Sequence, residues 1–107
     1  MAISNHDLAE KLAGLASRVN NLAVNHTGAD SRELLDLQDR LTKLQLAAIL
    51  EDLRAEDKDY QRAVGGLQDA IDQIGEATAE IENVAKIIKL VAKAANLAEK
   101  AIKAAAA

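Results

Sequence analysis

The C-terminal half of the chain carries an apolar ladder whose positions recur in alternating steps of four and three residues. The ladder runs through Tyr60, Val64, Leu67, Ile71, Ile74, Thr78, Ile81, Ala85, Ile88, Ala92 and Ala95. This spacing is typical of a helix that presents one apolar stripe to a coiled-coil or bundle seam. The pattern therefore predicts long helices, and it says more about the fold of the protein than about its function.

Two shorter ladders precede it and predict helices over residues 4–26 and 31–55. Ser4 is a good N-cap for the first helix, and Gly28 can adopt the left-handed conformation that closes it. The apolar positions of the second helix widen toward its C-terminal end, to Leu46, Ile49, Leu50 and Leu53. This width predicts a central helix that more than one neighbour covers.

The remaining ladder predicts a third helix over 58–105, after a charged run at 54–59. We therefore expect an all-α fold, a single helical domain over 1–107 built as an up-and-down bundle of three helices with a long, coiled-coil-like C-terminal helix. Two alternatives, each with a break in that helix, are also compatible with the sequence. A break at 65–66 would spare a cost on the order of 2 kcal/mol for two interior glycines. A break at 75–78 would give a four-helix bundle with elements of similar length.

The amino-acid composition supports a helical fold and limits the types of side chain that can fill the core. Proline and cysteine are absent, and Tyr60 is the one aromatic residue among 107. The proline residues that commonly mark turns between strands and in long loops are therefore absent, and no disulfide bond can form. A core without Phe or Trp depends on many modest aliphatic contacts, which suits helices packed closely through alanines.

The formal charge of −4 conceals a gradient along the chain. Residues 51–82 hold ten acids against three bases, whereas residues 83–107 hold five lysines and the single acid Glu99. The overall acidity and the absence of arginine or aromatic residues from the final segment argue against a nucleic-acid partner. The first residues lack a secretory pattern, and no stretch reaches the length of a spanning helix, so we expect a cytoplasmic location, with leaderless export left open.

The segment from Val84 to Ile102 is the one functional candidate, because it reads as a basic amphipathic helix. Its candidate interaction face is Val84, Ile87, Ile88, Val91 and Ile102, and its candidate basic face is Lys86, Lys89, Lys93, Lys100 and Lys103. Such a helix lies on an anionic membrane, enters a partner's groove, or forms the last member of a bundle with its lysines in water. We favour the bundle interpretation, because the apolar face lacks the Trp, Phe and Leu typical of interfacial helices.

Catalytic, cofactor and metal sites are not predicted. His6, Asp7 and Glu10 could place three polar ligands near one helical turn, but no fourth ligand accompanies them. His26 has no partner with the spacing of a catalytic dyad. We therefore expect no cofactor and no enzymatic activity.

These patterns predict a non-enzymatic, bacterial-type protein–protein interaction module, such as an accessory, immunity or chaperone-like protein. It would act through aliphatic helix faces on a protein partner, a second copy of itself, or both. The alternative is a soluble, membrane-active helical protein whose basic C-terminal helix binds anionic lipid.

Overall fold

The computed structural model of the chain describes residues 4–25, 27–51, 57–77 and 84–106. These residues form four helices and no strand. The helices are α1 (Ser4–Val24), α2 (Gly28–Leu50), α3 (Lys58–Ala77) and α4 (Val84–Ala106). The all-α prediction is confirmed, and the helix count is that of the four-helix alternative.

The expected continuous helix over 58–105 is wrong, because α3 ends at Ala77 and α4 begins at Val84. Asp59 and Lys100 lie 3.9 Å apart, so the start of α3 lies beside the end of α4 and the two helices are antiparallel. A continuous helix would extend about 70 Å at 1.5 Å per residue, whereas the longest dimension of the described molecule is 41 Å. Folding back buries Tyr60, Leu67, Ile74 and Ala95 of the ladder in one core and packs Val64, Ile71 and Ile88 against it, whereas Ala85 is exposed. Thr78 and Ile81 of the ladder lie outside the described residues.

The glycine pair does not break α3, because Gly65 and Gly66 both lie within the helix. A Cβ atom at Gly66 would come 2.8 Å from the Leu97 Cδ1 atom of α4. The absence of a side chain therefore lets Leu97 lie close to the α3 backbone. The close packing of α3 on α4 offsets the intrinsic cost of this glycine in a helix.

The ends of α2 differ from the expected 31–55. The helix begins at Gly28, whose φ of 70° is the left-handed conformation expected for this residue. It ends at Leu50, because Glu51 has the extended angles φ −99° and ψ 152°. The break between the second and third helices therefore falls between Leu50 and Lys58, and residues 52–56 of this connection lie outside the described residues.

The four helices form a ring in the order α1, α2, α4, α3, since contacts join each of these neighbours. Ser31 at the start of α2 donates a hydrogen bond of 3.0 Å to the Ala23 carbonyl near the end of α1, so these two helices are antiparallel. Lys11 of α1 donates a hydrogen bond to Gln68 of α3. On the surface between α2 and α4, Arg40 pairs with Glu99 at 3.3 Å. The α1–α2 pair and the α3–α4 pair therefore form opposite sides of the bundle.

One aliphatic core lies between these two sides. Its fully buried large side chains are Leu8, Leu12, Leu15, Val19, Leu34, Leu41, Leu67, Ile74 and Val91. No polar or charged residue is buried among those that the structure describes. Burial of each large aliphatic side chain contributes about 1.5 to 3 kcal/mol, so the stability of the bundle comes from many such contacts, as the composition predicts.

Candidate interaction site

The aliphatic face predicted on α4 lies inside the bundle. Val84, Ile87, Val91 and Ile102 are buried, and Ile88 is half-buried against the same core. The periodicity thus marks a face that packs on the chain's own α2 and α3. An outside partner meets this face only if α4 leaves the bundle, so its role in binding stays a prediction.

The basic face of α4 is on the surface, and the five lysines Lys86, Lys89, Lys93, Lys100 and Lys103 are all exposed. Lys100 lies 3.9 Å from Asp59, and Lys103 lies 3.8 Å from Glu99. Exposed pairs of this kind contribute only about 0 to 1 kcal/mol. Over the described ranges, no helix combines the length and the apolar character that crossing a bilayer requires.

Three exposed aliphatic side chains lie together on one face at the C-terminal end of α2. Leu46 is 59% exposed, Ile49 is 52% exposed and Leu50 is 83% exposed. Their spacing of three and four residues places them on one face, adjacent to one another. We call these three residues the α2 surface. The wide apolar pattern that contains them predicts that neighbouring helices cover this face, whereas the three side chains are exposed.

An apolar cleft borders the α2 surface, between α1 and α2. Its volume is about 280 Å³, and its lining residues are Ala9, Glu10, Ala13, Gln45 and Ile49. The two alanines leave the groove open, and Ile49 belongs to both the cleft and the α2 surface. Glu10 is the one charged residue of the lining. The outer side of the α1–α2 pair therefore presents apolar contacts with little charge.

A second cleft, of about 330 Å³, lies on the opposite side of the bundle between α3 and α4, and we call it the α3–α4 cleft. It is lined by Arg62, Gly65, Gly66 and Asp69 of α3 and by Leu90, Lys93, Ala94 and Leu97 of α4. Each set follows the same spacing of three, one and three residues, because two antiparallel helix faces meet there. The floor is formed by glycine backbone and aliphatic side chains, and the rim is charged.

Tyr60 is the one buried residue with a titratable side chain among those described. Burial, followed by the negative charge of Asp7, raises the pKa of the phenol above its usual value of 10.0, and a backbone hydrogen bond with Leu8 opposes the shift. The phenol therefore stays neutral at physiological pH. Tyr60 is near the start of α3 and interacts with Asp7 and Leu8 near the start of α1, so these two helices run in the same direction.

The described residues contain no group of three or more His, Cys, Asp or Glu side chains that could hold a metal ion. The side chains of His6 and His26, which the sequence singled out, lie outside the described residues. Asp7 and Glu10 both line a pocket between α1 and α3, and Asp7 also lies near Tyr60 at the start of α3. The chemistry of the described surface is that of aliphatic contact and exposed charge.

Comparison of the chain with models of protein families, with curated proteins and with solved structures finds no match.

Proposed function

We propose that this protein is a non-enzymatic helical interaction module that self-associates through the α2 surface. The observation that carries the proposal is the exposure of Leu46, Ile49 and Leu50 on one helix face of a bundle whose other helices bury their apolar stripes. Accessory, immunity or chaperone-like roles are compatible with such a module, and each places a protein surface opposite these side chains.

Burial of the α2 surface provides the driving force for the proposed association. Covering one Leu or Ile side chain contributes about 1.5 to 3 kcal/mol when burial is complete, and contact residues at the centre of an interface dominate its binding energy. Ile49 also continues the surface into the alanine-lined cleft of α1 and α2. A partner that covers Leu46 and Leu50 can therefore place a side chain in the cleft as well.

Lipid binding through α4, the alternative function, demands more of the bundle. The lysines already face outward, but the apolar side chains that would enter a lipid surface are in the core. Withdrawing Val84, Ile87 and Val91 from that core costs about 1.5 to 3 kcal/mol for each residue. The α2 surface is available with no such rearrangement, and for this reason we favour protein contact.

Sedimentation equilibrium across a range of protein concentrations tests the proposal. We expect the mass of the wild-type chain to rise with concentration, and the double variant Leu46→Ser, Leu50→Ser to remain a monomer at concentrations where wild type associates. Serine removes the apolar contact area at exposed positions, so the helical circular dichroism of the variant should match that of wild type.

Val24→Ser is the matched control, because Val24 is 71% exposed but lies at the other end of the α1–α2 pair. This variant should associate as wild type does. A wild-type chain that stays monomeric at every concentration, or a double variant that associates with undiminished strength, would contradict the proposal.

A further inference from the structure

We propose that the α3–α4 cleft of one copy receives the α2 surface of a second copy, so that chains join head to tail. The inference rests on the proposed self-association through the α2 surface, and it identifies the surface on the other side of the contact. Three observations carry it: a glycine without an intramolecular role, a pair of exposed cations beside an apolar floor, and the placement of the two surfaces on opposite sides of the bundle.

Gly65 is the first of these observations. A glycine in a helix interior is about 1 kcal/mol less favourable than alanine. The neighbouring Gly66 has an explanation within the chain, because a Cβ atom there would meet Leu97. A Cβ atom at Gly65 would have nothing within 4 Å. Packing within one copy therefore does not account for Gly65, whereas a group that enters the cleft from outside would use the space that a side chain would fill.

The apolar part of the cleft suits aliphatic side chains. Leu90 and Leu97 are half-buried and stand on the α4 side of a floor formed by Gly65 and Ala94. The volume of about 330 Å³ lies at the lower end of the range of ligand pockets. Leu46 and Leu50 of a second copy are the most exposed leucines of the described surface, and they can enter such a groove.

Charge favours the same pairing. Arg62 and Lys93 line the cleft, are exposed, and make no ion pair with another described residue, while Asp69 is the one acid beside them. The α2 surface lies at the C-terminal end of its helix, where the backbone dipole is negative. The last turn of α2 holds no basic residue, and Glu51 follows directly. A helix end with this charge is attracted to the two cations of the cleft.

The two surfaces cannot meet within one copy, because the α1–α2 pair and the α3–α4 pair form opposite sides of the bundle. When two copies join, one α2 surface and one α3–α4 cleft remain free at the ends of the dimer. A contact between two different surfaces then adds further copies, as a ring or an open chain. Pairing of one α2 surface with another would instead stop at the dimer.

Two variants separate the two sides of the proposed contact. Leu46→Ser, Leu50→Ser removes the α2 surface and keeps the cleft, whereas Gly65→Gln fills the cleft and keeps the α2 surface. Glutamine is a good helix former at an open position, so Gly65→Gln should raise the melting temperature of the monomer. Gly75→Gln is the matched control, because a Cβ atom at Gly75 also has nothing within 4 Å and the cleft lining does not include Gly75.

We expect each of the two variants alone to associate at least about tenfold more weakly than wild type, as loss of a central contact residue does. Gly75→Gln should associate as wild type does. Mixing the α2-surface variant with Gly65→Gln should restore one contact and give a 1:1 dimer that does not grow, since each mixed pair holds one intact surface of each kind. Wild type should grow past the dimer as its concentration rises.

Undiminished association of Gly65→Gln would overturn the inference while leaving the α2 surface as the contact. A mixture of the two variants that stays monomeric at wild-type association concentrations would also overturn it. Failure of the proposed function itself is a different result, in which wild type does not associate or the α2-surface variant associates as wild type does.

Discussion

Replacement of Val91 by aspartate is expected to unfold the bundle. Val91 is 0% exposed in the middle of α4, and its surroundings are aliphatic. An unpaired carboxylate at this position has no polar partner in the core, and such burial costs roughly 3 to 5 kcal/mol or more. Small domains are stable by only about 5 to 15 kcal/mol. We therefore expect thermal unfolding followed by circular dichroism to show a much lower melting temperature than wild type, or no cooperative transition.

Ala85→Asp is the control for Val91→Asp, because it adds the same charge to the same helix. Ala85 is exposed in the first turn of α4, where a negative charge interacts favourably with the helix dipole. Its melting temperature should equal or slightly exceed that of wild type. A Val91→Asp chain that melts as Ala85→Asp does would show that the α4 face is not part of the core.

Leu41→Ala is the second substitution with a large expected effect. Leu41 is 0% exposed on the inner face of α2, and truncation of a buried leucine removes both its transfer free energy and its packing contacts. We expect the free energy of unfolding to fall by about 2 to 5 kcal/mol, as measured by urea denaturation at a concentration below that at which the chain associates.

Leu46→Ala makes the same chemical change five residues further along the same helix. Leu46 is 59% exposed, so its truncation in the monomer should change the free energy of unfolding by only about 0.5 kcal/mol. The contrast separates the inner and outer faces of α2. Equal losses at the two positions would mean that the face with Leu46 is covered within the chain.

The helical fold could be predicted from the sequence because the spacing of apolar residues reports helix faces directly. The number of helices could not be predicted in the same way. The ladder keeps its phase from Tyr60 to Ala95, and such a repeat is compatible both with one continuous helix and with two helices that fold back on each other. In α4 the buried face is offset by one residue from the ladder, because Val84, Ile87 and Val91 are buried whereas Ala85 is exposed. The choice between one helix and two depends on whether other helices cover the apolar face, and this is a property of the packed chain.

The sequence pattern also does not determine what covers each apolar face of the candidate site. The amphipathic pattern of α4 indicates that Ile87 and Val91 are buried, but it is equally compatible with burial against a partner and burial within the chain. The pattern around Leu46 and Leu50 is as apolar, yet the structure leaves these residues on the surface. The sequence marks Gly65 and Gly66 as a possible helix break, but the open space at the Cβ position of Gly65 is visible only in the packed structure, with α4 beside α3.

Thiol accessibility tests the central claim most directly, because these 107 residues contain no cysteine and a single introduced cysteine reports one position. Leu50→Cys should react with a thiol reagent at nearly the rate of an unfolded chain, and excess wild-type protein should slow the reaction by covering the α2 surface. Val91→Cys should be protected with or without wild-type protein. A Leu50→Cys rate that wild-type protein does not change, or a Val91→Cys rate as fast as that of an unfolded chain, would contradict the account.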